Sequence, residues 1–194
     1  MPEWPNGHDS GSCGLVPTGV QILFPALKMK KRPLNQKTLC LIFDEENSLI
    51  LLGMKKRGFG VGKYNGFGGH VDPGESFEQA CSRELLEECG LSYSLTKENK
   101  VGEFDFYFPH KPEFDQTVHV YLIKNIHGDP IESEEMAFRW FPVREIPYSQ
   151  MWDDDKYWVP HVIRGKKLRA TFVFKNENNE NIVAKKLIKE VSYF

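Results

Sequence analysis

Residues Gly69 to Leu91 read GHVDPGESFEQACSRELLEECGL and combine a turn-forming segment with an acidic, helix-favouring one. They fit the pattern G-x5-E-x7-R-E-U-x-E-E-x-G-U, where U is a bulky apolar residue, at every specified position. The seven invariable positions of that pattern are Gly69, Glu75, Arg83, Glu84, Glu87, Glu88 and Gly90. Nine specified positions within 23 residues make a chance match remote.

The acidic part of this segment predicts a metal site. On a helix with about 100° per residue, Glu84, Glu87 and Glu88 fall within about 100° of arc. The neighbouring arc is apolar and suits burial against a sheet: Cys81, Leu85, Leu86 and Cys89. Three carboxylates so close together repel one another unless a cation lies between them, and Mg²⁺ accepts such oxygen ligands. A solvated acidic helix face is the other interpretation, but it needs no glycine, glutamate or arginine at fixed offsets.

The pattern resembles the box of the Nudix family, whose members cleave a diphosphate linked to another group. Four segments outside the box resemble the mammalian-type MutT homologues of that family, which hydrolyse oxidised purine nucleoside triphosphates: LLGMKKRGFG (51–60), NGFGGHV (65–71), ESEEM (132–136) and MWDDDKYW (151–158). The similarity runs from about Thr38 to the C-terminus. It implies an α/β fold, the Nudix α/β/α sandwich with a mixed β-sheet core.

Secondary-structure patterns agree with one α/β domain at 37–194, which follows a poorly ordered extension at 1–36. The extension holds five of the twelve prolines and four of the sixteen glycines. Alternation and apolar runs predict strands at 38–43, 48–54, 102–108, 117–123, 139–141, 170–175 and 182–184, the last reaching towards 191. Helices are predicted at 76–89, ending at Gly90, and at 155–164.

Composition limits the possible partners. A net charge of -2 gives no basic surface for nucleic acid polymers or acidic lipid, and no apolar run has the length of a membrane span. The four cysteines show neither CxxC spacing nor the density of a disulfide framework. We therefore expect a monomer in the cytoplasm, with mitochondria or the nucleus as further compartments, acting on nucleotides and not on a membrane or a nucleic acid polymer.

The resemblance implies a catalytic centre that uses Mg²⁺, with Mn²⁺ as a possible substitute. The implied metal ligands are Glu84, Glu87, Glu88, the Gly68 carbonyl and Glu135. The three helix glutamates are also the implied catalytic residues, and Glu88 or a neighbour takes a proton from the attacking water. Glu75 and Arg83 are expected to pair and orient the helix. An exposed acidic turn is the alternative interpretation of the segment around Glu135.

The resemblance also implies the substrates 8-oxo-dGTP and 2-hydroxy-dATP, which are cleaved to the monophosphate and pyrophosphate so that the nucleotide pool is sanitised. Trp152 is expected to stack on the base, Phe59, Phe106 and Trp158 to shape the pocket, and Asn65 to contact the base edge. The other implied substrate-binding residues are Thr38, Lys55, Phe67, Gly68, Gly69, His70, Asp153, Asp154 and Asp155.

Asp154 and Asp155 are expected to read the base edge. Two carboxyl groups on one edge cannot both ionise comfortably, so one keeps a proton and becomes a donor. Moving that proton would change the donor and acceptor pattern and let one pocket accept both bases. Capping of the following helix is the alternative role of the Asp153–Asp155 run, and it is compatible with base reading.

Some positions depart from the mammalian members of the family. His70 replaces a lysine, Tyr64 a tryptophan and Asp153 a proline, and a pocket-wall methionine is replaced within 114–116 by a polar Asp115 or Gln116. Three other functions stay open: hydrolysis of ADP-ribose or a dinucleotide coenzyme, hydrolysis of an mRNA cap, and non-catalytic nucleotide binding. The complete set of helix glutamates argues against the last of these.

Overall fold

A mixed eight-stranded sheet separates two helices in the part of the chain that the structure, a computed structural model, describes: residues 33–58, 60–134, 136–177 and 180–194. The strands are β1 (Asn35–Asp44), β2 (Leu49–Lys55), β3 (Tyr64–Asn65), β4 (Lys100–Tyr107), β5 (Gln116–Lys124), β6 (Met136–Pro142), β7 (Lys167–Glu177) and β8 (Glu180–Val191). The helices are α1 (Phe77–Cys89) and α2 (Asp155–Ile163). The sheet order is β3-β2-β1-β5-β4-β7-β8, with β6 on β2.

The two faces of the sheet carry separate hydrophobic cores. Alternate residues of each strand point to opposite faces, so Leu41 lies in the core under α2 while Cys40 and Ile42 lie in the core under α1. Trp158 of α2 and Leu85 of α1 are the large side chains that each helix contributes. The expected α/β/α sandwich with a mixed sheet is confirmed, since β1–β5 and β4–β7 are parallel and the other pairs antiparallel.

The sheet opens next to β2. One edge of β2 pairs with β6 along the whole length of β2. The other edge of β2 is therefore shared by β1 and β3. β1 pairs with only three residues of β2 and then separates from it. The chain after β3 enters this gap, where Phe67 bridges Cys40 and His70 bridges Lys37. Gly68 and its neighbours are thereby held in the sheet, facing α1.

Local signals set both ends of α1. Ser76 caps the N-terminus: its hydroxyl accepts from the Gln79 N–H, and the Gln79 side chain accepts from the Ser76 N–H at 2.8 Å. Gly90 ends the helix with φ 72°, a left-handed conformation that suits glycine. The predicted helix is therefore confirmed. The expected burial of Leu86 is wrong, because its side chain is 53% exposed while Cys81, Leu85 and Cys89 are buried.

The other predicted elements are confirmed with shifted ends, and β3 is an addition. β1 begins at Asn35, inside the segment expected to belong to the N-terminal extension, because its first residues pair with β5. The third strand is only two residues long and shows no period in the sequence. No helix in the described residues is long and apolar enough to cross a membrane.

A buried histidine joins α1 to the sheet. His119 of β5 is 5% exposed and stacks on Phe77, with 3.6 Å between the ring centroids. Its Nε2 lies 2.9 Å from Gln36 Oε1 and its Nδ1 lies 3.0 Å from the Lys100 ammonium. The ammonium can only donate, so we assign a neutral ring with the proton on Nε2. Burial, and then the Lys100 charge, lower the pKa of His119 to about 4.

Stability should therefore fall as the pH falls below about 6.5. Between pH 6.5 and about 4, the unfolded chain binds a proton on His119 that the folded chain does not. The difference corresponds to roughly 3 kcal/mol of unfolding free energy. We expect His119→Gln to flatten this dependence in urea titrations across that range. His127→Gln, at an exposed position, is the control; equal slopes for His119→Gln and wild type would refute the assignment.

Candidate active site

Arg83 fastens the turn before α1 to the helix. Its Nε donates to Glu75 Oε1 at 2.9 Å, and its Nη2 donates to Glu75 Oε2 at 3.0 Å. Nη2 also donates to the His70 carbonyl at 3.1 Å. This pairing lowers the pKa of Glu75 and raises that of Arg83, so both groups stay charged. The chain between Gly69 and Glu75 is thus held in a fixed position on α1.

The three helix glutamates differ in their surroundings. Glu88 is 6% exposed and accepts a hydrogen bond from the Gly68 N–H at 2.8 Å. Glu84 is largely buried and accepts from Arg83 Nη1 at 3.0 Å. Glu87 has a side chain that is 59% exposed and accepts from the same nitrogen at 3.3 Å. Glu84 and Glu88 therefore face the Gly68–Gly69 turn, while Glu87 lies towards solvent.

The approach of the turn to α1 requires two glycines. A Cβ on Gly69 would lie 2.5 Å from Glu84 Cδ, far inside van der Waals contact. A Cβ on Gly68 would lie 2.8 Å from the Thr38 carbonyl carbon and 2.9 Å from Leu39 Cα. A larger residue at position 68 would therefore push the turn away from the β1 backbone, and one at position 69 would displace the Glu84 carboxylate.

The donor set at this turn fits a hard divalent cation. Glu84 and Glu88 supply carboxylate oxygens at one place, and Mg²⁺ prefers such ligands. In the arrangement that the described ranges show, no three Asp, Glu, His or Cys side chains are gathered closely enough to hold an ion. Glu87 contacts the Arg83 guanidinium instead, and Glu135 lies outside the described residues. Glu87 would have to turn away from Arg83 to join the other two carboxylates.

A cavity of about 180 Å³ begins at this turn and runs over the opposite face of the sheet. This volume is below the roughly 300–1,000 Å³ of pockets that enclose a drug-sized ligand, so it suits part of a nucleotide. Its walls are mainly aromatic: Phe104, Phe106, Phe108, Trp152, Trp158 and Phe174. Its polar lining residues include Lys37, Thr38, Lys55, Lys63, Asn65, His70, Gln116, Asp154 and Asp155. Gly68 and Gly69 line the end nearest α1.

Two buried carboxyl groups lie in the cavity lining. Asp154 is 4% exposed and accepts from Trp158 Nε1 at 2.9 Å, and Asp155 is 2% exposed and accepts from the Trp152 N–H at 3.0 Å. Burial raises the pKa of Asp154 to about 6. Burial, and then the Asp154 charge, raise the pKa of Asp155 well above its usual value. Burial therefore disfavours the charged form of both carboxyl groups, and the charge on one disfavours the charge on the other.

The capping alternative for this pair finds little support in the geometry. Asp154 is the N-cap residue of α2, but its side chain makes no capping hydrogen bond and instead accepts from Trp158. Each carboxyl group has one oxygen engaged by a protein donor, which leaves the other oxygen available to a ligand. The Thr38 hydroxyl, which also lines the cavity, is buried and has no hydrogen-bond partner among the described residues. Buried groups in this state are stabilised when a ligand supplies the missing partner.

Two residues expected to bind substrate lie elsewhere. Asp153 is not among the cavity-lining residues: its carboxylate pairs with Lys156 and accepts from the Val183 N–H at 2.9 Å. Burial alone would raise the pKa of Asp153, but these two donors outweigh it and lower that pKa. The Phe67 side chain is fully buried in the core under α1. Phe59, expected in the pocket wall, lies outside the described residues.

Sequence reasoning missed two polar lining residues, Lys37 and Lys63. Lys37 lies on the face of β1 that carries Leu39, so strand alternation could have identified it. Lys63 donates to the Met151 carbonyl at 3.3 Å and lies 5.6 Å from the centre of the Trp152 ring. Of the two polar residues that the sequence left open at 114–116, Gln116 lines the cavity.

Asp115, the other residue considered for that wall, has a structural role. Its Oδ1 accepts from the Phe108 N–H at 2.7 Å. The carboxylate therefore ties the loop before β5 to the end of β4. The polar side chain that this wall presents to a ligand is consequently the Gln116 amide.

Comparison with known proteins agrees with this architecture. Residues 33–162 match the NUDIX domain. The oxidized purine nucleoside triphosphate hydrolase of Mus musculus is 45% identical over 141 residues, which cover 73% of this chain and 87% of the relative. The enzyme of the same name from Danio rerio is 44% identical over 151 residues, or 78% of this chain and 94% of that one.

A solved structure shows the same fold at low identity. The crystal structure of a MutT protein from Bacillus halodurans superposes with a TM-score of 0.67 and 22% identity, over 80% of this chain and 98% of that one. The domain match spans strands β1 to β6 and nearly all of both helices, and the two relatives above match over most of their own length. This chain belongs to the NUDIX family.

Proposed function

We propose that this protein hydrolyses oxidised purine nucleoside triphosphates, such as 8-oxo-dGTP and 2-hydroxy-dATP, to the monophosphate and pyrophosphate. The observation that carries the proposal is the buried Asp154–Asp155 pair in an aromatic cavity that ends at the helix carboxylates. A shared proton on this pair offers a donor beside an acceptor, and the aromatic walls suit a flat base. The names of the mouse and zebrafish relatives support the same substrate class.

The base would lie in the cavity and the phosphate chain would extend past Gly69 towards α1. Trp152 offers an aromatic face to the base, and Asn65 an amide to its edge. Mg²⁺, with Mn²⁺ able to replace it, would be held by the helix glutamates and would neutralise phosphate charge. We assign to Glu88 the role of taking the proton of the attacking water, and its buried position beside the turn supports this assignment. The Arg83–Glu75 pair holds the turn in a fixed position on the helix.

Kinetics on a panel of nucleotides test this proposal. The panel holds the four canonical deoxynucleoside triphosphates, 8-oxo-dGTP, 2-hydroxy-dATP, ADP-ribose and a dinucleotide coenzyme, each with Mg²⁺. We expect the highest kcat/KM for an oxidised purine and release of pyrophosphate, not orthophosphate. The ranking within that class should reflect Gln116, because a polar amide forms part of the cavity wall. A higher kcat/KM for ADP-ribose, or binding without turnover, would reject the proposed function.

The division of the chain is also a proposal: residues 1–34, the part of the expected extension that precedes β1, are not needed by the catalytic domain. Residues Leu34–Phe194 form a compact unit by themselves. Deletion of residues 1–34 leaves β1 entire, so melting temperature and kcat/KM should be nearly unchanged. An insoluble or inactive truncated protein would show that the domain depends on the deleted residues.

A further inference from the structure

Lys37 and Lys55 are two of the three lysines that line the cavity. Lys37 extends the face of β1 that lines the cavity, and Lys55 ends β2 across the opening between the two strands. Within the described ranges, neither ammonium group has a hydrogen-bond or salt-bridge partner. Lys56, the neighbour of Lys55, differs: it contacts Glu132 Oε2 at 3.0 Å and the Ser133 carbonyl at 2.8 Å.

The electrostatic surroundings of Lys37 favour an anion there. Burial, and then the Lys55 charge, lower the pKa of Lys37, while Glu84 raises it. Two like charges in a partly buried place repel each other, and an anion bound between them would relieve that repulsion. Glu84 already contacts Arg83, so it is not available as a dedicated partner for Lys37.

The position of Lys37 in the cavity favours the phosphate chain of a nucleotide as the bound anion. His70, which forms a bridge with Lys37, follows the turn that bonds to Glu88. In the proposed orientation, with the base at Trp152 and the Asp pair, the phosphate chain would run past Lys37 towards the end of the cavity at Gly68 and Gly69. The Gly68–Gly69 turn lies along the same path and adds no side chain of its own.

We propose that Lys37, which lies beside the expected substrate-binding residue Lys55, binds the phosphate chain of the substrate and favours a triphosphate over a monophosphate. This inference rests on the proposed function only in requiring a nucleotide that carries several phosphates. It does not depend on which base the cavity accepts.

Binding of inorganic tripolyphosphate in Mg²⁺, measured by calorimetry, tests the lysines without any base. We expect Lys37→Gln to weaken its binding about ten-fold, the size of a lost charge-assisted hydrogen bond. The KM for the preferred triphosphate should rise similarly, with a smaller change in kcat and in the affinity for the monophosphate. Lys37→Arg should restore most of the affinity, because it restores the charge.

Lys56→Gln is the matched control, since it removes one lysine of the same strand end that already has partners; its affinity should stay within two-fold of wild type. Unchanged tripolyphosphate binding in Lys37→Gln, or no measurable binding by the wild type, would overturn the inference. A wild type without preference for oxidised purines, but with the Lys37 effect intact, would reject the proposed base and leave the phosphate site standing.

Discussion

Replacing Glu88 by glutamine is expected to lower kcat at least a hundred-fold, the lower end of the range for removing a general base. The glutamine carbonyl can still accept the Gly68 N–H, so the turn keeps its position while the negative charge is lost. Substrate affinity should fall much less, because the cavity that holds the base is unchanged. Single-turnover rates and Kd values at saturating Mg²⁺ separate the two effects.

Glu78→Gln provides the matched control for this experiment. Glu78 lies on the same helix and accepts from the Tyr121 hydroxyl at 3.0 Å, a bond that a glutamine can keep. Its variant should retain turnover close to wild type, and both variants should keep the wild-type melting temperature. Near-normal turnover of Glu88→Gln in saturating Mg²⁺ would mean that Glu88 has neither a catalytic nor a metal-binding role.

The helix and its boundaries could be predicted because their causes are local. The Ser76 cap, the reciprocal Gln79 contact and the left-handed Gly90 each depend on residues within one turn. The gap between β1 and β2 could not be predicted from local sequence. It depends on β6, which lies far from β2 in the sequence and pairs with the whole of that strand. Leu86 is exposed although it is apolar, because the sheet covers only one side of α1.

The residue types of the candidate site could be predicted from the sequence, but the directions of their side chains could not. Asp153, Asp154 and Asp155 are adjacent and identical, so no residue pattern states which of them face the cavity. Their assignment depends on where α2 begins and on the approach of β8, whose Val183 engages Asp153. Gln116 could not be separated from Asp115 for a similar reason: both are polar neighbours, and the sequence does not state which of them points into the cavity.

The Asp154–Asp155 pair leads to a prediction about substrate choice. Trp158 Nε1 occupies one oxygen of Asp154, and the Trp152 N–H occupies one oxygen of Asp155. Asp154→Asn can keep its carbonyl on Trp158 and must then present its NH₂ to the base, which makes this position a permanent donor. Asp155→Asn makes the other position a permanent donor for the same reason. In the wild type, one mobile proton lets either position act as the donor.

The two variants should therefore lose activity on different substrates. One of the two bases needs a hydrogen-bond acceptor at the altered position and finds a donor there instead. An unpaired buried polar group costs about 1–3 kcal/mol, or roughly ten- to a hundred-fold in kcat/KM. If 8-oxo-dGTP and 2-hydroxy-dATP use opposite proton positions, one variant should be impaired mainly on the first and the other mainly on the second. The expected result is this opposition between the two variants, in either direction.

Asp153→Asn is the control that distinguishes base reading from support of α2. Asp153 belongs to the same run but contacts Lys156 and Val183 outside the cavity lining, so its variant should affect both substrates equally and slightly. If Asp154→Asn and Asp155→Asn also gave equal losses on both substrates, the pair would only stabilise the helix and its tryptophans. If both variants impaired the same substrate, the two bases would bind with the same proton position, and the breadth of the site would need another source. A shared proton requires that Asp154→Asn and Asp155→Asn lose activity on different substrates while Asp153→Asn stays close to wild type. Only movement of that proton exchanges donor and acceptor between the two carboxyl groups.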